Sequence, residues 1–244
     1  MRGYILKIAY KGTNYCGWQV QPNKPTVQKV LQTACEEVFG VKTDLTGCSR
    51  TDSGVHAREF VALASGELPN IPTDSLHLAI NTKLPEDIVV TEATVAKDGF
   101  HPRYDASGKE YVYRIHNSRV RNPFTNDTSW QFHRYIDVDK ANEICKAFVG
   151  KQDFCAFMAT GSKIVDTVRE VKYFNAVRNG DEVVFTVAAD GFLYNMVRIM
   201  VGTVAEMASG SEMMPIDKII ASKNRANAGV TAPAKGLTLN KVFY

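Results

Sequence analysis

Across its 244 residues the chain offers no recognisable signal for a metal, a nucleotide or a membrane. The five cysteines, Cys16, Cys35, Cys48, Cys145 and Cys155, contain no C-x-x-C pair. That argues against a disulfide framework and suits a reducing compartment. The five histidines, His56, His77, His101, His116 and His133, form no H-E-x-x-H and no spacing with cysteine that would hold zinc, so no metal is expected. Neither a Walker A motif nor a G-x-G-x-x-G is present, and Ser53 lacks the G-x-S-x-G elbow of a hydrolase. An enzyme of this sequence would work without a recognisable cofactor. No stretch approaches the roughly 18 uncharged apolar residues of a membrane span. The N-terminus, M-R-G-Y-I-L-K-I, has no long apolar run, so no signal peptide is read there and a cytoplasmic protein is expected. An excess of charge is also lacking: 29 Lys+Arg against 26 Asp+Glu leave +3, which permits a nucleic-acid partner without demanding one.

What is present is ordinary for a globular chain. With 45% apolar and 23% charged residues, the composition argues against disorder. At about 100–150 residues per domain, one or two domains fit. Apolar runs predict strands over 4–10, 41–48, 58–65, 88–95, 111–116, 168–178, 182–190 and 237–244. In 26–39, Val27, Val30, Leu31, Ala34, Val38 and Phe39 recur at helical spacing, with Thr26 as N-cap and Gly40 as stop. Further helices are predicted over 73–81, 138–149 (stopped by Gly150), 193–209 and 216–222. Two halves, 1–103 and 104–244, each open with a strand and carry an amphipathic helix ended by glycine. The mixture favours α+β with mainly antiparallel sheets over a doubly wound parallel sheet.

Three features could carry chemistry. Residues 47–57, G-C-S-R-T-D-S-G-V-H-A, concentrate polar side chains between two predicted strands, a common way to build a site. Asp52 lies two residues after Arg50, so in extended backbone both point the same way. The same residues also suit an ordinary turn. Arg198 is the sole charge in 191–205. On a helix apolar nearly all round its guanidinium must be paired, and a carboxylate is the expected partner, for structure or for function. Tyr111 and Tyr113 share one face of a strand, suited to core packing or to stacking on a base.

The signature in 47–57 closely resembles the G-x-G-R-T-D-x-G-V-H-A motif of the TruA family of tRNA pseudouridine synthases. Y-K-G-T-N-Y-C-G-W-Q-V-Q-P (10–22) with T-V-Q (26–28) is similar to that family's N-terminal motif. N-x-x-L-P-x-D-I (81–88), F-H-P-R-Y (100–104), K-E-Y-V-Y-R-I (109–115), F-L-Y-N-M-V-R-I-M-V-G-T (192–203) and G-L-x-L (236–239) follow in the family's order. The resemblance implies a pseudouridine synthase fold, two RRM-like or ferredoxin-like α/β domains around a catalytic cleft. It also implies a homodimer that converts uridines 38, 39 and 40 of the tRNA anticodon stem-loop to pseudouridine, with no cofactor. By position, Asp52 matches the catalytic aspartate and Arg50 the arginine that assists base extrusion. Tyr111 matches the tyrosine that stacks on uracil, Arg198 the partner of the catalytic carboxylate, and Leu237 an apolar wall of the pocket. Ser49 departs from the pattern, standing where the signature has its second glycine.

The chemistry suits the absences above. Pseudouridine formation breaks the C1′–N1 bond, turns the base and rejoins it through C5, so it is redox-neutral and takes no group from outside. It calls for a carboxylate, as nucleophile or as base toward the sugar. Phosphate contacts are expected from Lys11, Arg58, Arg103, Lys109, Arg119 and Arg121. Alternatives are a paralogue acting on another RNA such as ribosomal RNA, a non-catalytic RRM-like binding protein, and a glycosidic hydrolase. The last usually needs two carboxylates at a set separation, and Asp52 alone stands out.

Overall fold

The computed structural model describes residues 3–162 and 164–244. It divides into two compact units, one of residues up to Ser107 together with Thr238–Tyr244, the other Gly108–Leu237. The architecture is α+β and mainly antiparallel, as the mixture of elements predicts.

The first unit runs β1 (Gly3–Tyr10), α1 (Val27–Phe39), β2 (Asp44–Gly47), β3 (His56–Ser65), α2 (Thr73–Asn81) and β4 (Ile88–Val95). β1 lies between β3 and β4, antiparallel to both, and β2 pairs with β3. Alternation along β1 buries Tyr4, Leu6, Ile8 and Tyr10 on one face. The helical stripe of α1 turns inward at Val27, Leu31, Ala34, Cys35 and Phe39, and Phe39 stacks on Tyr4 with centroids 5.6 Å apart. Gly40 ends the helix in the left-handed region at φ 69°, as a C-terminal glycine should. Thr26 occupies the N-cap position, yet its side chain makes no capping bond, and its buried hydroxyl has no hydrogen-bond partner among the described residues.

The second unit runs β5 (Gly108–His116), β6 (Trp130–Gln131), α3 (Val138–Lys146), β7 (Gly150–Asp153), β8 (Val168–Asn179), β9 (Glu182–Ala189), α4 (Met196–Ala208) and α5 (Ile216–Ser222). Its sheet has the order β5-β9-β8-β7, antiparallel throughout, with β6 parallel to β5. α4 is buried almost all round, as a helix with so little polarity must be. α3 is shorter than its apolar pattern predicts. After Lys146 the N–H groups of Ala147, Phe148 and Val149 turn to carbonyls three residues back, and Gly150, at φ 106°, opens β7 instead of capping the helix.

The last strand, β10 (Leu237–Phe243), differs from a division at 103/104 in chain order. Its Thr238 and Leu239 pair in parallel with His56 and Ala57 of β3. Phe243 accepts the Ser107 N–H at 2.8 Å, the Tyr244 hydroxyl donates to the Pro102 carbonyl at 2.8 Å, and Leu239 and Val242 are buried. Their apolar area closes the first unit's core, a term that favours return of the chain end to it.

Candidate active site

In the first unit, the loop between β2 and β3 carries Arg50 and Asp52. Asp52 is half-buried and Arg50 exposed. The loop's shape comes from its neighbours. The Asp52 carbonyl accepts the Val55 N–H at 3.1 Å, and Gly54 supplies φ 80° for that turn. Residues 10–18 lie against it. The Tyr10 and Thr51 hydroxyls are 2.9 Å apart and buried, the Trp18 N–H donates to the Thr51 carbonyl at 3.2 Å, and Tyr15 O accepts from Gly54 N–H and from the Ser53 hydroxyl, both at 3.2 Å. Buried His56 presents Nδ1 as an acceptor to the Gly12 N–H at 2.9 Å, which sets its neutral tautomer with the proton on Nε2. The Trp18 ring stacks on Phe60 at 4.1 Å.

This approach is too close for side chains. A Cβ on Gly12 would lie 2.0 Å from the Val55 carbonyl oxygen, and one on Gly17 2.3 Å from the Thr51 oxygen. The N-terminal motif is thus a scaffold beneath the Asp52 loop, a role that no pattern within residues 10–22 discloses. Ser49 fits without strain. Positive φ among the described non-glycine residues is confined to Asn23, Asn195 and Lys223, so residue 49 does not demand glycine's freedom.

The second unit holds Tyr111, Arg198 and Leu237. Tyr111, on β5, is 7% exposed and meets Phe192 edge-on, ring centroids 5.1 Å apart. Tyr113, two residues on, is fully buried and donates to the Pro233 carbonyl at 2.7 Å. Burial pushes its hydroxyl far above the ordinary tyrosine range, and the nearby positive charge of Arg198 opposes that rise. Segment 228–237 threads these parts together. The Gly229 N–H donates to Thr203 Oγ1 at 2.9 Å and the Val230 N–H to Glu206 Oε2 at 3.2 Å, both on α4. Ala232 receives the Arg198 Nε–H at 2.7 Å, and Gly236 lies so near Tyr113 that a Cβ would be 2.6 Å from its ring. Leu237 follows, 6% exposed. The V-G-T of residues 201–203 therefore seats this segment: a Cβ on Gly202 would be 2.0 Å from the Val230 oxygen.

Arg198 Nη1 also donates to Asn195 Oδ1 at 2.8 Å. Asn195 sits at the N-cap of α4 in the left-handed region, φ 59° and ψ 9°, and makes no side-chain cap. Asparagine is the non-glycine residue that most readily takes this conformation.

Of the basic residues expected to meet phosphate, Lys11, Arg58, Arg103, Arg119 and Arg121 are exposed and Lys109 is half-buried. Two further basic side chains, His133 and Arg134, lie beside Arg119. Buried Asn117 takes the Ile136 N–H on Oδ1 and gives its amide hydrogens to the Phe132 and Arg134 carbonyls, displaying His133, Arg134 and Tyr135 around a surface pocket beside Arg119. Arg178 stacks beneath Tyr135 at 4.7 Å. Nothing in the spacing of His133 and Arg134 marks them, because Asn117 lies fifteen or more residues away in sequence. Among the described residues no group of three His, Cys, Asp or Glu could hold a metal ion. No disulfide joins the cysteines, and no helix among the described residues is long and apolar enough to cross a membrane.

A family model described as tRNA pseudouridine synthase matches residues 7–105 and 144–244. The chain belongs to that family. It is 40% identical over 246 residues to the tRNA pseudouridine synthase A of Clostridium acetobutylicum, and 41% over 248 residues to that of Clostridium kluyveri, covering all of both chains in each case. The tRNA pseudouridine synthase A of Thermoanaerobacter sp. (strain X514) is 40% identical over 245 residues, again over the full length of both. The family's matched residues include the Asp52 loop, α4 and β10, and leave out 106–143, which contain Tyr111 and the Asn117 pocket.

Proposed function

We propose that this chain isomerises uridines 38, 39 and 40 in the tRNA anticodon stem-loop to pseudouridine, with Asp52 as the catalytic group. Family membership supports the reaction. The observation that carries the residue assignment is the loop of Asp52, a half-buried carboxylate on a turn braced by Tyr10, Tyr15, Trp18 and His56. Such bracing holds a reacting group at its position without reorganisation.

In this reading Asp52 faces the ribose of the target uridine and acts as nucleophile or as base toward the sugar. By either route the C1′–N1 bond breaks, the uracil turns, a C1′–C5 bond forms, the C5 proton leaves to solvent and N1 gains a proton. Arg198 supplies the countercharge of the Asp52 carboxylate. Arg50 assists extrusion of the base, Tyr111 stacks on it and Leu237 walls the pocket. We infer action in the cytoplasm as a homodimer, in line with the resemblance and with five cysteines outside any disulfide.

The experiment is tritium release from a tRNA transcript labelled at uracil C5, followed by mapping of the product. Release with pseudouridine at 38–40 is expected. Pseudouridine elsewhere in tRNA would overturn the site assignment. Free uracil would indicate hydrolysis, and binding without release would point to ribosomal RNA or to a binding protein.

Stacking is worth roughly 1–3 kcal/mol per base. Tyr111→Ala should therefore slow single turnover about 5- to 150-fold while tRNA binding survives. Tyr111→Phe keeps the ring and should stay near wild type. Loss of rate as large as that of alanine would assign the work to the hydroxyl.

Binding should weaken with salt as condensed counterions are released from RNA. Neutralising Arg119 or Arg134 should lower the slope of log K against log salt by about 1 each and leave the single-turnover rate at saturation unchanged. An unchanged slope would remove that residue from the RNA-binding surface.

A further inference from the structure

We propose that Asn195 is a positioning residue for Arg198: it leaves the end of α4 uncapped in order to hold the guanidinium with a neutral acceptor. The proposal rests on the reading of Arg198 as the countercharge of Asp52.

An asparagine before a helix ordinarily sits in extended backbone and accepts an N–H of the first turn with its side-chain oxygen. Asn195 does neither. It is left-handed, makes no cap, and accepts Arg198 Nη1 at 2.8 Å one turn along the helix. The diversion has an evident beneficiary. A guanidinium on a long side chain has four rotatable bonds to fix, and the Ala232 carbonyl on Nε at 2.7 Å fixes one edge. Asn195 fixes a second point, so the plane of the guanidinium is set.

The Ala232 acceptor is itself anchored redundantly. The Ala232 N–H donates to the Arg198 carbonyl at 3.1 Å, and the preceding residues are held by Thr203 and Glu206. Asn195 is the side-chain half of the grip and can be changed without disturbing that segment. Both acceptors are neutral, so they orient the cation without cancelling its charge. A carboxylate at residue 195 would orient it equally well and compete with Asp52 for it.

That difference makes the proposal testable with two variants that keep the backbone. Glycine accepts the left-handed conformation, and aspartate tolerates it while placing a negative charge at a helix N-terminus, so neither should lower the thermal midpoint. Asn195→Gly is expected to slow single-turnover tritium release about tenfold or more with the tRNA dissociation constant unchanged, the mark of a misplaced group. Asn195→Asp is expected to be no faster than the glycine variant. A role in folding alone would instead appear as a lowered midpoint in the glycine variant and restoration by aspartate.

Wild-type rate in either variant, or a fall in rate accounted for by unfolding, overturns the proposal. Arg198→Ala separates this from failure of the underlying reading. If Arg198→Ala is inactive while Asn195→Gly is fully active, Arg198 keeps its role and Asn195 loses its own. If Arg198→Ala is itself active, the countercharge reading falls and the positioning role with it.

Discussion

Asp52→Asn is expected to abolish tritium release, lowering the single-turnover rate by at least about three orders of magnitude. The substitution keeps the shape of the side chain and removes only its charge and basicity. The turn that carries it should persist, because the Asp52 backbone carbonyl and the φ of Gly54 that form it are unchanged in the variant. Affinity for tRNA should persist as well, since phosphate contacts dominate binding. The informative measurement is therefore rate and binding on the same preparation, with the thermal midpoint as control. Retained turnover would remove Asp52 from the chemistry. Lost binding with lost turnover would make it a residue of RNA recognition instead.

The second large effect is expected at a residue that carries no reacting group. Gly17 has φ 82°, and a Cβ there would sit 2.3 Å from the Thr51 oxygen and 3.2 Å from the Asp52 carbonyl carbon. Gly17→Ala adds left-handed strain to a backbone clash that no side-chain rotation relieves. The combined cost is about 2–5 kcal/mol, seen as a lower midpoint for unfolding of the first unit. Whatever part of the clash is relieved by moving the loop displaces Asp52, so the surviving folded enzyme should lose about a hundredfold in rate. Gly40→Ala is the control. Its φ is 69°, but no heavy atom lies within 4 Å of the added Cβ. It should cost about 1 kcal/mol of left-handed strain and leave the rate unaltered. Equal effects at both positions would mean that the contact between residues 17 and 51 does not position the loop.

These two residues show where sequence reading reaches and where it stops. Asp52 was legible as a candidate because the polar residues around it are concentrated within eleven positions, 47–57. Gly17 stands in a recognisable motif, yet its purpose depends on a contact with residue 51, which no local pattern encodes. Arg198 was legible as a problem, a lone charge on an apolar helix. Its bonds to the Ala232 carbonyl, 34 residues on, and to the Asn195 amide were not, because a backbone carbonyl carries no sequence signature. The arrangement of His133 and Arg134 is not legible in the sequence, because an exposed basic residue looks the same whether or not a buried asparagine arranges it.

By itself, the sequence determined the order and kind of the longer elements, though not the short strands β6 and β7, together with the apolar face of α1, the burial of α4 and the loop that carries the carboxylate. Those follow from period, propensity and charge over a few turns of chain. Only the tertiary structure decided that α3 stops at Lys146, that β10 returns to pair with β3, and that three glycines, 12, 17 and 202, lie under foreign backbone. Each is a matter of where distant segments meet, and close packing admits only the side chains that the meeting leaves room for.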